Sequence, residues 1–369
     1  MLKTIRRQVL PQAPSPTMTS FLRIVEAIFV FGIYFLFLFL GAGLSAFLNG
    51  YLNNTFNLNK MYDPVVERSS HKDKATRSGG LALFLTFCIC YGIGKALGVI
   101  SMNLYALIAF CFVALIGVGD DLFTIKYREK FFVQVFAGIV LLQSSVYINN
   151  FHGIFGIYEI PYWASAVITI YVFVVIVNSL NLIDGIDGLA ALLCVKFFVI
   201  VGAILAVSSK EMELVVPSII GALIGFLLYN MNPHKKVFLG DTGSLLLGSV
   251  MAFYIFYILD DRSSIITDSN ISRPLFAVLL LIYPLVDTLR AFIIRAYKKL
   301  SPFVADRVHL HHRLIDKKGL NHWQSTLTIL FVSISVLVLG FLLSSVLSLS
   351  LVILCLLVYM IGIFFLIFK

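Results

Sequence analysis

The chain has 369 residues, of which 60% are apolar and only 13% charged, with a mean hydropathy of +0.97. Soluble globular domains run near half apolar and a quarter charged, so a soluble enzyme is excluded, as are a disordered chain and a coiled coil. Five cysteines, Cys88, Cys90, Cys111, Cys194 and Cys355, all lie in apolar runs without C-x-x-C spacing, which excludes a secreted disulfide scaffold and a thiolate zinc site.

A crossing helix needs ~20 apolar residues, because a bilayer offers the backbone no hydrogen-bond partners. On that scale the sequence predicts an all-α polytopic membrane protein with about eleven transmembrane helices: 21–48, 79–98, 103–119, 131–149, 162–180, 188–207, 214–231, 243–259, 274–296, 325–344 and 347–368. Residues 1–20 form a tail and 21–369 a single polytopic domain. The last two helices are nearly forced, since Gln324 to Phe368 holds no charge and Ser344, Ser345 and Ser348 mark a turn.

The net charge of +9 is not spread evenly. Loops 49–78, 120–130, 181–187, 232–242 and 297–324 hold 16 Lys and Arg, whereas the intervening loops hold Lys210, Arg262 and Arg273. Basic loops stay in the cytoplasm, so the first set is expected there, and the positive charge speaks for a membrane rather than nucleic acid. An odd helix number then puts the N-terminus outside, against Lys3, Arg6 and Arg7. Met18 is accordingly the expected start, with residues 1–17 an over-called extension.

Four polar clusters fall in those basic loops. Gly117-Val-Gly-Asp120-Asp121 is followed by Lys126, Arg128 and Lys130. Adjacent carboxylates at a helix C-terminus call for a cation or proton, and Mg²⁺ suits them, although a solvated pair fixing topology is the plainer reading. In the second cluster, Asn178, Asn181, Asp184 and Asp187 recur every three residues, with Gly185 and Gly188 beside them. If helical they form one polar stripe, with capping by Asp187 as the alternative.

The third cluster runs Asn230-Met-Asn-Pro-His-Lys235-Lys236 into Val237-Phe-Leu-Gly240-Asp241-Thr-Gly243-Ser244. Here a helix N-terminus attracts phosphate, and Asp241 is a plain N-cap, a metal ligand or both. The fourth, Ser301-Pro-Phe-Val-Ala-Asp306-Arg307-Val-His309-Leu-His311-His312-Arg313, is a donor-rich patch suited to a diphosphate, ranked above zinc because no Cys is near. Of the charged residues inside spans, Asp287, with Arg290 one turn on, reads equally as a salt bridge or a functional acid, and Lys196 either snorkels or meets an anionic lipid.

In this order the clusters resemble the polyprenyl-phosphate N-acetylhexosamine-1-phosphate transferases. The resemblance rests on Asp120-Asp121 with Lys130, Asn178 to Gly188, Val237 to Ser244 and Ser301 to His312. His309-Leu-His311-His312 is similar to the H-I-H-H of the WecA and TagO types rather than to the triple-His element of the MraY branch. The resemblance implies a Mg²⁺-dependent enzyme, with Mn²⁺ as a substitute ion. It would move a sugar 1-phosphate, GlcNAc first among the donors, from a UDP-N-acetylhexosamine to undecaprenyl phosphate in the bacterial inner membrane.

By the same resemblance Asp120 and Asp121 hold the acceptor phosphate or act as base, Asp184 and Asp187 position donor and metal, and Asp241 ligates Mg²⁺ together with Asp121. Arg307, His309, His311 and His312 bind the diphosphate, Lys130 contacts phosphate, and Asn178, Asn181 and Asn230 contact substrate. Direct attack and a covalent intermediate both stay open, as does assembly as a homodimer. The competing class is a transporter or lipid flippase, which would carry its ionisable residues near the midplane.

Overall fold

The computed structural model describes residues 16–62, 75–100, 102–154, 156–208, 214–260, 271–300 and 308–368, with side chains from 31 to 367. Residues 1–15 of the N-terminal tail, Lys210, Arg262 and Ser301 to Arg307 lie outside them. Thirteen α-helices are present among the described residues: α1 Pro16–Leu58, α2 Gly79–Ala96, α3 Leu104–Phe123, α4 Tyr127–Leu142, α5 Tyr162–Ile183, α6 Leu189–Ser208, α7 Val215–Asn230, α8 Gly240–Leu259, α9 Arg273–Leu280, α10 Ile282–Tyr297, α11 Leu310–Lys318, α12 His322–Ser344 and α13 Leu349–Ile363. The chain ends in a π-helical turn, Phe364–Phe368.

Each expected span coincides with a helix, but eight are long and apolar enough to cross a membrane, or nine if a bent pair is one span. The shortfall has local causes. α4 and α7 have 16 residues each, about 24 Å of helix against ~30 Å of hydrocarbon. α4 stops at Leu142 because Ser144 donates to the Leu141 carbonyl (2.6 Å) and Ser145 turns with φ +63°. The expected span 274–296 is broken at Leu281 into α9 and α10, which meet at 76°.

The all-α expectation fails in one place. β1 (Asn150–Ile154) and β2 (Ile157–Glu159) form an antiparallel hairpin, its tip carrying Gly153 and Gly156 at positive φ, a backbone that glycine adopts freely. The hairpin packs at the end of the bundle opposite the four clusters: His152 Nε2 meets the Leu259 carbonyl at 2.9 Å, and Asn149 donates to Asp260 at 3.1 Å.

With lipid on the outside, helix pairing rests on close backbone approach. α1 packs on α7 through Gly41, whose missing Cβ would strike the Ser218 carbonyl, and through Gly221 and Gly225, which abut the Leu38 and Ala42 carbonyls. Ser45 seals the contact by donating to the Ala222 carbonyl at 2.7 Å. α8 is the hub: 94% of its apolar window is buried, against α2, α3, α5, α6 and α9. Its first turn, with Asp241, therefore lies at the centre of one end of the bundle.

Candidate active site

Asp121, in the last turn of α3, reaches across to the start of α8. Its Oδ1 accepts from the Asp241 N–H (2.9 Å), and its Oδ2 from the Thr242 N–H (2.9 Å) and Thr242 Oγ1 (2.7 Å). A helix start leaves four N–H groups unpaired, and here a carboxylate from another helix takes two of them. The chain reaches α8 through Gly240 at φ +65°, where a Cβ would sit 2.6 Å from Asp121 Oδ1. The sequence assigned capping to Asp241 as one option and metal ligation to Asp121; the structure makes Asp121 the cap and leaves the Asp241 side chain pointing elsewhere.

That direction is towards Lys130 at the start of α4. Lys130 Nζ lies 2.8 Å from Asp241 Oδ2 and 3.3 Å from Asp120 Oδ2, while Asp120 Oδ1 accepts from the Ile125 N–H at 2.7 Å. The lysine expected on a phosphate thus bridges two carboxylates, and the positive charge that tempers the acidic pair comes from within the protein.

Only half of the expected stripe is helical, because α5 ends at Ile183 and Gly185 and Gly188 follow in a loop. Asn178 pairs with Gln134 of α4 (2.5 Å) and Asn181 donates to Ser244 of α8 (2.9 Å). Asn230 spends both ends of its amide on the scaffold: its Oδ1 accepts from the Gly188 N–H (2.7 Å) and its Nδ2 donates to the Val237 carbonyl (2.9 Å). It ties two loops together.

Asp187 and Asp184 separate in role. Asp187 Oδ2 receives Lys236 Nζ at 2.7 Å and His322 Nδ1 at 2.9 Å. Burial pushes this carboxyl up, but the His322 and Lys236 contacts outweigh it and hold the group below the ordinary carboxylate value. Asp184 sits at the end of α5, pushed up to about 8 by burial first and then by the charges of Asp241, Asp121 and Asp187, with Arg77 opposing. Two carboxylates three residues apart thus differ in charge near neutrality, and only the environment separates them.

The histidine cluster is held from α10. Asp287, fully buried, contacts His309 Nδ1 with Oδ2 (2.9 Å) and accepts the Leu310 N–H with Oδ1 (2.9 Å). Arg290 donates to the Val308 carbonyl (2.6 Å), and Arg295 and Tyr283 approach His309 and His311 at 3.4 Å. The rings of His309 and His311 stack at 5.6 Å, and His312 follows at 4.2 Å. Asp287 was visible in the sequence as an acid inside a span, where ionisable groups are rarely idle, and Arg295, inside the same expected span, carried that signal too; His322 and Tyr283 belong to no motif and carried none. Arg307 lies outside the described residues.

His311 also joins the clusters together, because a Cβ on Gly185 would sit 2.5 Å from its Nε2. Gly185→Ala is expected to push the buried ring aside, at the ~1–3 kcal/mol of an overpacked contact. The check is thermal unfolding, in which the melting point of the variant falls below the parent's while the purified protein stays monodisperse.

Among the described residues no three carboxylate, imidazole or thiol groups are already gathered as a metal set. Mg²⁺ commonly takes only one or two carboxylates and keeps its waters or substrate phosphates. Asp184 has no side-chain hydrogen bond among the described residues, and the charge of Asp241 is the largest carboxylate influence on it. This pair of hard oxygen donors fits such an ion.

Comparison with known proteins agrees with the geometry. Residues 103–259, which span α3 to α8, match the family model described as glycosyl transferase family 4. A Bacillus subtilis protein named probable undecaprenyl-phosphate N-acetylglucosaminyl 1-phosphate transferase is 31% identical over 301 residues, covering 75% of this chain and 76% of its own. A Yersinia pestis undecaprenyl-phosphate alpha-N-acetylglucosaminyl 1-phosphate transferase is 30% identical over 268 residues, 70% of each chain. The Thermotoga maritima protein of that name is 27% identical over 302 residues, covering 80% of this chain and 87% of its own. The multi-pass helical protein described here belongs to glycosyl transferase family 4.

Proposed function

We propose that the protein transfers N-acetylglucosamine 1-phosphate from UDP-N-acetylglucosamine to undecaprenyl phosphate, releasing UMP. The observation that carries the reading is convergence: groups from four separate loops meet at one end of the bundle. Lys130 touches Asp120 and Asp241, Asp121 caps α8, Lys236 and His322 grip Asp187, and Gly185 abuts His311. These loops carry the excess of Lys and Arg, which supports a cytoplasmic site in the inner membrane and an eleven-crossing path. A transporter would set its ionisable groups at mid-membrane, and these are gathered at one end.

Each residue has a separable task. Asp184 and Asp241 would hold Mg²⁺, which when bound neutralises charge on the diphosphate and the departing UMP. Lys130 holds Asp120 and Asp241 together, and the capped α8 start keeps Asp241 in register. His309 and His311 present imidazoles to the donor diphosphate from a frame set by Asp287. The acceptor phosphate is already largely ionised near neutrality, with a second pKa of ~6, and needs no strong base.

The deciding assay supplies membranes with radiolabelled UDP-N-acetylglucosamine, undecaprenyl phosphate and Mg²⁺. Lipid-extractable label that EDTA removes is the expected result. Label from a different UDP-N-acetylhexosamine alone would change the donor, and no label from any of them would end the proposal.

The high pKa of Asp184 gives a pH dependence. The unfolded carboxyl ionises near 3.8 and the folded one near 8, so between these values the native state holds the extra proton, and this group lowers stability as pH rises. A cation that binds the carboxylate must expel that proton, so Mg²⁺ affinity rises with pH up to about 8. Calorimetry in buffers of different ionisation enthalpy should find close to one proton released per Mg²⁺ at about pH 7 and almost none at about pH 9. Asp184→Asn should abolish the release, and a release unchanged in that variant would assign the proton to another group.

A further inference from the structure

Lys196 lies two turns into α6, buried at 7% exposure, and takes no part in the site described above. Its ammonium donates to the Leu280 carbonyl at 3.0 Å and to Ser333 Oγ at 2.6 Å. Leu280 is the last residue of α9, at the break before α10, and four residues further on stands Pro284. In a continuous helix the carbonyl of Leu280 would accept the N–H of residue 284. Proline has none, and its ring crowds that carbonyl. A carbonyl so stripped inside a membrane protein is costly unless another group reaches it, and Lys196 is that group.

We propose that Lys196 is the positioning residue of the α9–α10 break. It fills the carbonyl that Pro284 vacates and ties it to Ser333 of α12, fixing the 76° angle at which α10 departs. α10 carries Asp287 one heptad beyond Leu280, and Asp287 holds His309 and the Leu310 N–H. The angle of the break therefore sets where the histidines stand relative to Gly185. The consequence for the donor rests on the function proposed above; the mechanical role does not.

The test is a distance measurement in the full-length protein. Spin labels are placed at Tyr297, 91% exposed at the far end of α10, and at Leu228 on α7, 64% exposed, in a Cys355→Ser background that removes the exposed native thiol. Lys196→Met keeps the apolar stem and loses the donor, and is expected to shift and broaden the 228–297 distribution while a control pair at Leu228 and Tyr171 stays narrow. Pro284→Ala supplies the missing N–H, so Lys196→Met added to it should change the distribution no further; this background also carries the test should the single variant fold poorly.

In the transfer assay Lys196→Met should raise the donor Michaelis constant on the order of tenfold with a smaller change in kcat, as expected when a binding group is misplaced rather than removed. An unchanged 228–297 distribution in Lys196→Met, or additive effects with Pro284→Ala, would overturn the proposal. A shifted distribution in a protein whose parent labels no lipid would uphold the role of Lys196 and sink the assigned reaction instead.

Discussion

Asp241→Ala is expected to abolish transfer, with kcat down about 10³-fold or more, the ~4 kcal/mol typical of losing a charge-stabilising group at a reacting phosphoryl centre. The fold should survive, because the start of α8 is capped through the backbone N–H groups of residues 241 and 242 by Asp121, not by the Asp241 side chain. Among the described residues that side chain has one ion-pair partner, Lys130, with 21–22% of each side chain exposed, and partly exposed pairs contribute ~1 kcal/mol or less. An inactive protein with a nearly unchanged melting point is thus the expected pairing. Retention of more than about a tenth of parent activity would remove Asp241 from the reaction centre. Asp121→Ala should behave oppositely in stability, since it strips three hydrogen bonds from the same helix start.

Asp287→Asn is expected to lower kcat/KM about 10²-fold, the upper range for losing a group that orients a ligand-binding imidazole. Asparagine keeps the size of the side chain and can still accept the Leu310 N–H. It offers His309 Nδ1 a neutral amide in place of a buried carboxylate, which loosens the hold on the orientation of the ring. The loss should fall mainly on the donor Michaelis constant, measured beside thermal unfolding to confirm that α10 and the following segment remain folded. Parent-like kinetics in Asp287→Asn would mean that the carboxylate charge does not orient His309.

The clusters were legible one by one because each needs an unusual local composition, and their shared side was legible because basic loops report membrane orientation. Their partners were not. Adjacent Asp120 and Asp121 look equivalent in the sequence, yet one faces Lys130 and the other caps a helix 120 residues away. Asp184 and Asp187 look like one stripe, yet Lys236 and His322 contact the second, whereas among the described residues the first has no such ion pair and feels Arg77 only as an opposing charge. Asn230 carries a motif position and serves as a loop tie, whereas Asp287 lies outside every motif and organises the histidines.

Hydropathy alone determined that the chain is a helical, multi-pass membrane protein, because hydrocarbon forces each crossing to satisfy its own backbone and so writes ~20-residue apolar runs into the sequence. Tertiary structure alone decided which carboxylates are spent on caps and ion pairs, that a span breaks at Leu281, and that Lys196 reaches the Leu280 carbonyl. Hydrogen bonds and charge pairs act over a few ångström between residues from 22 to 137 positions apart, and no local pattern in a chain encodes such a pairing.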